Sequence, residues 1–82
     1  MAHKSFRSTL RSTILGSLAP GEERQLSYPV RVKNNSMVGF GEIVGIYRRG
    51  LRGVAMCIDR FDQCYSLSEL SEAVCAEILA AL

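Results

Sequence analysis

Residues 47–53 combine three arginines and two glycines between two apolar runs, a composition that favours the tip of a β-hairpin. The arginines are Arg48, Arg49 and Arg52, and a hydrophobic core has no need of them. A guanidinium on a protruding loop can bind phosphate through two parallel hydrogen bonds without a deep pocket. The adjoining Tyr47 can stack on a base or a sugar. The segment therefore predicts a contact with a polyanion.

The distribution of charge supports the same prediction. Residues 1–55 hold nine Lys and Arg against three Glu, a balance of +6, whereas residues 56–82 hold one Arg against five acids, a balance of −4. Such asymmetry is typical of a protein with one face for a polyanionic partner. If the first helix packs beside the hairpin, its cations extend the basic surface. The predicted nucleic-acid-binding residues are Arg48, Arg49, Arg52, Lys4, Arg7, Arg11 and Tyr47.

Protein–protein interaction is the competing interpretation. The arginines of the hairpin would then be solvated, or paired with Glu42, Asp59 or Asp62, and would serve solubility alone. The binding surface would be an edge strand or the last helix. Small side chains on the outer face of that helix, at positions 73, 76 and 80, allow another helix to approach closely, so a homo-oligomer is one form of this alternative.

Two short motifs support a third interpretation. Arg7 and Arg11 form an RxxxR motif, and Asn34, Ser36 and Gly39 form an NxSxxG motif. In order and separation these resemble the cyclic-di-GMP-binding signature of PilZ domains, and residues 42–59 are similar to the closing strands of that family. The resemblance implies that the two arginines bind the phosphates and guanine edges. The other three residues would form the opposite wall of a nucleotide site.

The sequence does not favour an enzyme. His3 is the only histidine, and no Ser/His or Cys/His arrangement has a partner. Cys57, Cys64 and Cys75 lie seven and eleven positions apart, which fits neither a CxxC pair nor a closed disulfide framework. We therefore expect reduced thiols in a cytoplasmic protein, with no metal and no cofactor. No apolar run approaches the roughly 20 residues that a membrane span requires.

The helices are predicted from apolar residues spaced by three or four positions. Phe6, Leu10, Ile14 and Leu18 define the face of a basic amphipathic helix within residues 1–20, and Ser5 can cap its start. In the last part of the chain, residues 66–69 have the sequence of a capping box that opens a helix over 67–82. The apolar stripe predicted for that helix contains Leu67, Leu70, Val74, Ile78 and Leu82.

Four strands are predicted in residues 25–66. The first, 25–33, alternates with Leu26, Tyr28, Val30 and Val32 on one side, and Pro29 makes it an edge strand or breaks it. The second, 37–47, is expected to turn Val38, Phe40, Val44 and Ile46 inward and Ile43 outward. A third strand turns Val54, Met56 and Ile58 inward, and a turn at 59–62 leads to a short fourth strand.

The predicted fold is a single α+β domain over residues 1–82, in the order α-β-β-β-β-α. Its antiparallel sheet, within residues 25–66, should be strongly bent, SH3-like or a partly open barrel, and covered by the C-terminal helix. The predicted core contains Leu26, Val30, Val32, Phe40, Val44, Ile46, Val54, Met56, Ile58, Leu70, Val74 and Ile78.

Overall fold

The computed structural model describes residues 4–33 and 40–82, with only the backbone of Phe40. The predicted order α-β-β-β-β-α is confirmed, and the strands form an antiparallel meander in the order β1-β2-β3-β4. One turn of 3₁₀ helix, Leu67–Glu69, precedes the last helix. The elements are α1 (Phe6–Ser17), β1 (Glu23–Lys33), β2 (Phe40–Arg49), β3 (Val54–Asp59), β4 (Cys64–Ser66) and α2 (Glu72–Ala81).

Helix α1 begins and ends where its sequence predicts. The Ser5 hydroxyl accepts a hydrogen bond from the backbone N–H of Ser8 at 3.1 Å, which satisfies one free donor of the first turn. Leu10 and Ile14 are fully buried. Phe6 belongs to the same predicted stripe but is 53% exposed. The backbone N–H of Phe6 donates to Oε2 of Glu72 at 2.8 Å, at the start of α2.

Strand β1 is an edge strand with an irregular middle, as Pro29 predicts. Its pairing with β2 shifts register between Gln25 and Val30, the stretch that contains the proline. Because of that shift the regular alternation fails at Tyr28, which was predicted on the inward side and is 50% exposed. The buried residues of β1 are Leu26, Val30 and Val32.

The inward face predicted for β2 is wrong at Ile43 and Val44. Ile43 and Ile46 are both fully buried in the core, although strict alternation would place them on opposite faces. The pairing of β2 with β3 shifts register between Ile43 and Gly45, and the extra residue brings both isoleucines to the same side. Val44 is half-buried and lies outside the core cluster.

The inward face predicted for β3 is also wrong. Ala55 and Cys57 belong to the core cluster, whereas Met56 and Ile58 are buried outside it. Val54 is 51% exposed. Residues 54–58 are all apolar, so their sequence carries no alternation that could indicate which face turns inward.

The capping box closes the 3₁₀ turn and does not open the helix. The backbone N–H of Ser66 donates to Oε2 of Glu69 at 2.8 Å, but Leu70 is extended. Helix α2 starts after Ser71, whose hydroxyl accepts a hydrogen bond from the backbone N–H of Val74 at 3.2 Å. The later start changes the buried stripe, because Val74 is half-buried and Leu82 is 39% exposed. The buried residues of α2 are Cys75, Ile78 and Ala81.

Both helices pack on the same face of the sheet. The buried side chains of α1 and α2 and the inward residues of β1, β2 and β3 form one cluster, which also takes in the 3₁₀ turn. The predicted cover of the sheet by the C-terminal helix is therefore shared with α1. Side chains that alternate with this cluster along β2 and β3 project from the opposite face.

Candidate functional site

The β2–β3 hairpin ends in the glycine-dependent turn that the sequence predicts. Gly50 and Gly53 have φ angles of 72° and 76°, in the left-handed region that glycine adopts without steric cost. The backbone N–H of Gly53 donates to the carbonyl of Gly50 at 3.2 Å and closes the turn. The tip is therefore tight, and its geometry depends on both glycines.

Arg48 is directed inward at the base of this hairpin. Its Nη1 donates to the carbonyl of Leu18 at 2.9 Å and more weakly to that of Leu15 at 3.4 Å. These carbonyls belong to the C-terminal end of α1, whose last turn has no basic residue of its own. A cation there satisfies free carbonyls and complements the helix dipole. Arg48 is thus half-buried and engaged, contrary to the expectation of three exposed arginines.

The backbone of Arg48 also fixes the hairpin to the chain that precedes β1. Its carbonyl accepts a hydrogen bond from the N–H of Gly21 at 2.7 Å, and its N–H donates to the carbonyl of Glu22 at 3.0 Å. Arg24 adds a hydrogen bond from Nη2 to the carbonyl of Ser17 at 3.2 Å. The base of the hairpin is consequently held to the end of α1 by the Arg48 side chain and to the segment before β1 by its backbone.

Arg49 and Arg52 are the exposed cations of the tip. Neither side chain has a hydrogen bond or ion pair with any residue that the structure describes, and both are solvent-exposed. Because Arg48 points towards α1, its neighbours Tyr47 and Arg49 project from the opposite face. Leu51, between the exposed arginines, is 88% exposed. The tip therefore presents two unpaired charges together with apolar surface.

Sequence reasoning did not identify the apolar part of this surface. Val54 was assigned to the core, but it is the cross-strand neighbour of Arg49 and is half exposed. The exposure of Leu51 could have been predicted, because it lies between two glycines that both belong to the turn. We call Tyr47, Arg49, Leu51, Arg52 and Val54 the hairpin surface.

The basic residues in and just before α1 differ in what they contact. Arg7 donates from Nε to the carbonyl of Leu67 at 3.0 Å and from Nη2 to that of Leu70 at 2.6 Å. Its Nη1 also lies 3.2 Å from a carboxylate oxygen of Glu72. Lys4 and Arg11, in contrast, are exposed.

Helix α1 meets the hairpin at its C-terminal end only. Leu15 and Leu18 contact Arg48 there, while Arg7 lies roughly 16 Å along the axis from Leu18, at about 1.5 Å per residue. The first helix therefore packs beside the hairpin, as the extended basic surface requires, only at its C-terminal end. The exposed cations Lys4, before α1, and Arg11, in its first half, are therefore separate from the hairpin surface.

The structure describes only the arginines of the PilZ-like motifs. Asn34, Ser36 and Gly39 lie outside the described residues. Arg7 is occupied by the 3₁₀ turn and by α2, so a cyclic dinucleotide would have to displace those bonds, whereas Arg11 is free to solvent.

The turn between β3 and β4 is held by a carboxylate. Asp59 accepts hydrogen bonds from the backbone N–H groups of Phe61 at 2.8 Å and Gln63 at 2.9 Å, and from the hydroxyl of Tyr65 at 2.9 Å. Burial opposes its ionisation, but these bonds outweigh that effect and lower the pKa of Asp59. The bond to Asp59, followed by burial, raises the pKa of Tyr65. Asp59 thus has a structural role in the turn.

The three cysteines are free thiols. Burial, followed by the proximity of Cys75, raises the pKa of Cys57 to about 12. Burial also raises the pKa of Cys75, although Arg7 and Arg11 act in the opposite direction. Both buried thiols are therefore protonated and unreactive at neutral pH. Over residues 4–33 and 40–82, no group of His, Cys, Asp and Glu is arranged to hold a metal ion.

Comparison with known proteins adds no family. No family model matches the chain, and neither the curated proteins nor the solved structures yield a match. In the part of the chain that the structure describes, no helix is both long and apolar enough to cross a membrane.

Proposed function

We propose that this protein is a non-enzymatic, cytoplasmic module that binds nucleic acid, and that the tip of the β2–β3 hairpin is its main contact. The observation that carries the proposal is the pair Arg49 and Arg52, exposed and without a partner among the described residues. Guanidiniums in this state are available to phosphate. The free thiols are compatible with a reducing compartment.

The mounting of the hairpin supports this use of its tip. Arg48 holds the hairpin to α1 through the Leu18 carbonyl, so little backbone freedom is lost when the tip meets a ligand. Arg48 itself then acts as a positioning residue. Lys4 and Arg11 can reach a second segment of a longer strand, which makes their contribution dependent on the length of the nucleic acid.

The salt dependence of binding tests the proposal. Fluorescence anisotropy would follow random DNA and RNA oligonucleotides, single-stranded and duplex, at two salt concentrations. Removing two phosphate contacts with the double variant Arg49→Ala, Arg52→Ala should make the negative slope of log K against log [salt] shallower by about 1.4 to 1.8.

The matched control is Arg60→Ala. Arg60 is also exposed on a hairpin, but it is paired with Glu42 and lies at the opposite end of β3. It should leave both affinity and salt slope near their original values. No binding at low salt, or equal binding by the double variant, would contradict the proposal.

A protein partner remains the second candidate because β1 is an edge strand of the sheet that the structure describes. An added strand would bind there through main-chain hydrogen bonds. Ala73 and Ala80, exposed on α2, offer another surface to a helix. Sedimentation at several concentrations detects a homo-oligomer, and such an assembly should be unaffected by loss of Arg49 and Arg52.

A further inference from the structure

The hairpin surface has a chemical character that phosphate binding alone does not require. We infer that its ligand is single-stranded nucleic acid, with an unpaired base stacked on Tyr47 and the adjoining phosphates on Arg49 and Arg52. This inference rests on the proposed function and specifies its ligand.

Tyr47 and Arg49 lie on the same face of β2, with Cα atoms about 7 Å apart along the strand. The register places Met56 opposite Tyr47 and Val54 opposite Arg49. A partly exposed ring therefore lies beside a free guanidinium, within the span of one nucleotide.

An aromatic ring on a strand favours a single-stranded over a duplex nucleic acid. In a duplex the faces of the bases are covered by their neighbours, and only edges and backbone are accessible. In a single strand the faces are free, and each can stack on an aromatic side chain. Tyr47, together with the half-exposed Val54, offers contact to a base face.

Glu23 on β1 is exposed and is the cross-strand partner of Tyr47, on the side away from β3. Its carboxylate repels phosphate, whereas Arg49 attracts it. The backbone of the strand should therefore follow the arginines, with the base directed over the tyrosine.

The experiment compares one sequence as single-stranded DNA, single-stranded RNA and DNA duplex by anisotropy. We expect the single strands to bind at least tenfold more tightly than the duplex. Tyr47→Leu should weaken single-strand binding by roughly five- to 150-fold, the range for loss of one base–aromatic stack. Tyr47→Phe, which keeps the ring, should bind like the original protein, and Glu23→Gln should bind a few-fold more tightly.

The control is Tyr28→Leu, which removes another partly exposed tyrosine, in the irregular part of β1. It should leave binding unchanged, and circular dichroism of each variant establishes that it is folded. Equal or tighter binding of the duplex overturns the single-strand inference, and so does an unchanged affinity of Tyr47→Leu. In either case, loss of affinity in the double variant Arg49→Ala, Arg52→Ala preserves the proposed function. Failure of every nucleic acid to bind at low salt overturns both, including the case in which vesicles of anionic lipid bind instead.

Discussion

The two hairpins of this protein expose similar residues but differ in what those residues contact. The β2–β3 hairpin exposes Leu51 at 88%, and the β3–β4 hairpin exposes Phe61 at 82%, each beside arginine. In the β3–β4 hairpin Arg60 is paired with Glu42. The exposed arginines of the β2–β3 hairpin have no such partner among the described residues. Exposure alone therefore does not distinguish the two hairpins, whereas the pairing of their arginines does.

Each hairpin also has one charged side chain that holds it in place. Arg48 joins the β2–β3 hairpin to the carbonyl end of α1, whereas Asp59 gathers two N–H groups and a hydroxyl within the β3–β4 turn. The first contact is between distant elements and the second is local. Loss of Arg48 should consequently loosen two elements, and loss of Asp59 only one turn.

The largest expected effect comes from Gly53. A Cβ at this position would lie 2.8 Å from Nε of Arg48 and 3.1 Å from Cδ2 of Leu15, on a backbone with φ of 76°. Gly53→Ala should therefore lower the free energy of unfolding by about 3 kcal/mol, through backbone strain and displacement of Arg48. Urea denaturation measures the change.

Gly50→Ala is the matched control for that variant. Gly50 has a similar φ of 72°, but a Cβ there would meet nothing within 4 Å. Its cost should be limited to strain, about 1 kcal/mol. Equal losses for the two glycine variants would show that Arg48 does not make the close contact.

Arg48→Ala should lower the free energy of unfolding by about 2 kcal/mol, because charge-assisted hydrogen bonds to the end of α1 are lost. The neighbouring Arg49→Ala should change it by less than about 0.5 kcal/mol. In the Arg48→Ala background, Gly53→Ala should cost less than in the original protein, since the clash with Arg48 has been removed and only the contact with Leu15 remains. Additive losses in the double variant would contradict the contact.

The smallest of these effects is a pH dependence in the β3–β4 hairpin. The pKa of Asp59 is lower in the folded protein than in the unfolded chain, where it is about 3.9. Its ionised form therefore stabilises the fold fully above that value, and this stabilisation is lost as pH falls through the folded pKa. Asp59→Asn should cost roughly 1–2 kcal/mol at pH 7 and remove that part of the acid sensitivity.

Asp62→Asn serves as its control, because Asp62 is exposed and its positive φ of 63° is tolerated by asparagine. Thermal unfolding from pH 3 to pH 7 compares the variants. An acid sensitivity that is unchanged in Asp59→Asn would show that other carboxylates produce it.

The sequence was sufficient for the order of elements and for the turn at Gly50 and Gly53. It was insufficient for the inward faces of β2 and β3. In β2 a bulge between Ile43 and Gly45 interrupts the alternation, and in β3 an unbroken apolar run shows no alternation. For the candidate site, the sequence identified the arginines but not their directions. Val54 was wrongly assigned to the core because the inward face of β3 was predicted wrongly.

What the sequence determined by itself is local: the cap at Ser5, the apolar stripe of α1, and the turn glycines. These depend on residues a few positions apart. Only the tertiary structure decided which distant side chains cap the ends of α1. Glu72 accepts hydrogen bonds from the N–H groups at its start, and Arg48 donates to the carbonyls at its end. The tertiary structure also decided which of two adjacent arginines is held and which is free. Side-chain direction alternates along a strand, so that choice was fixed by the pairing register and not by residue type.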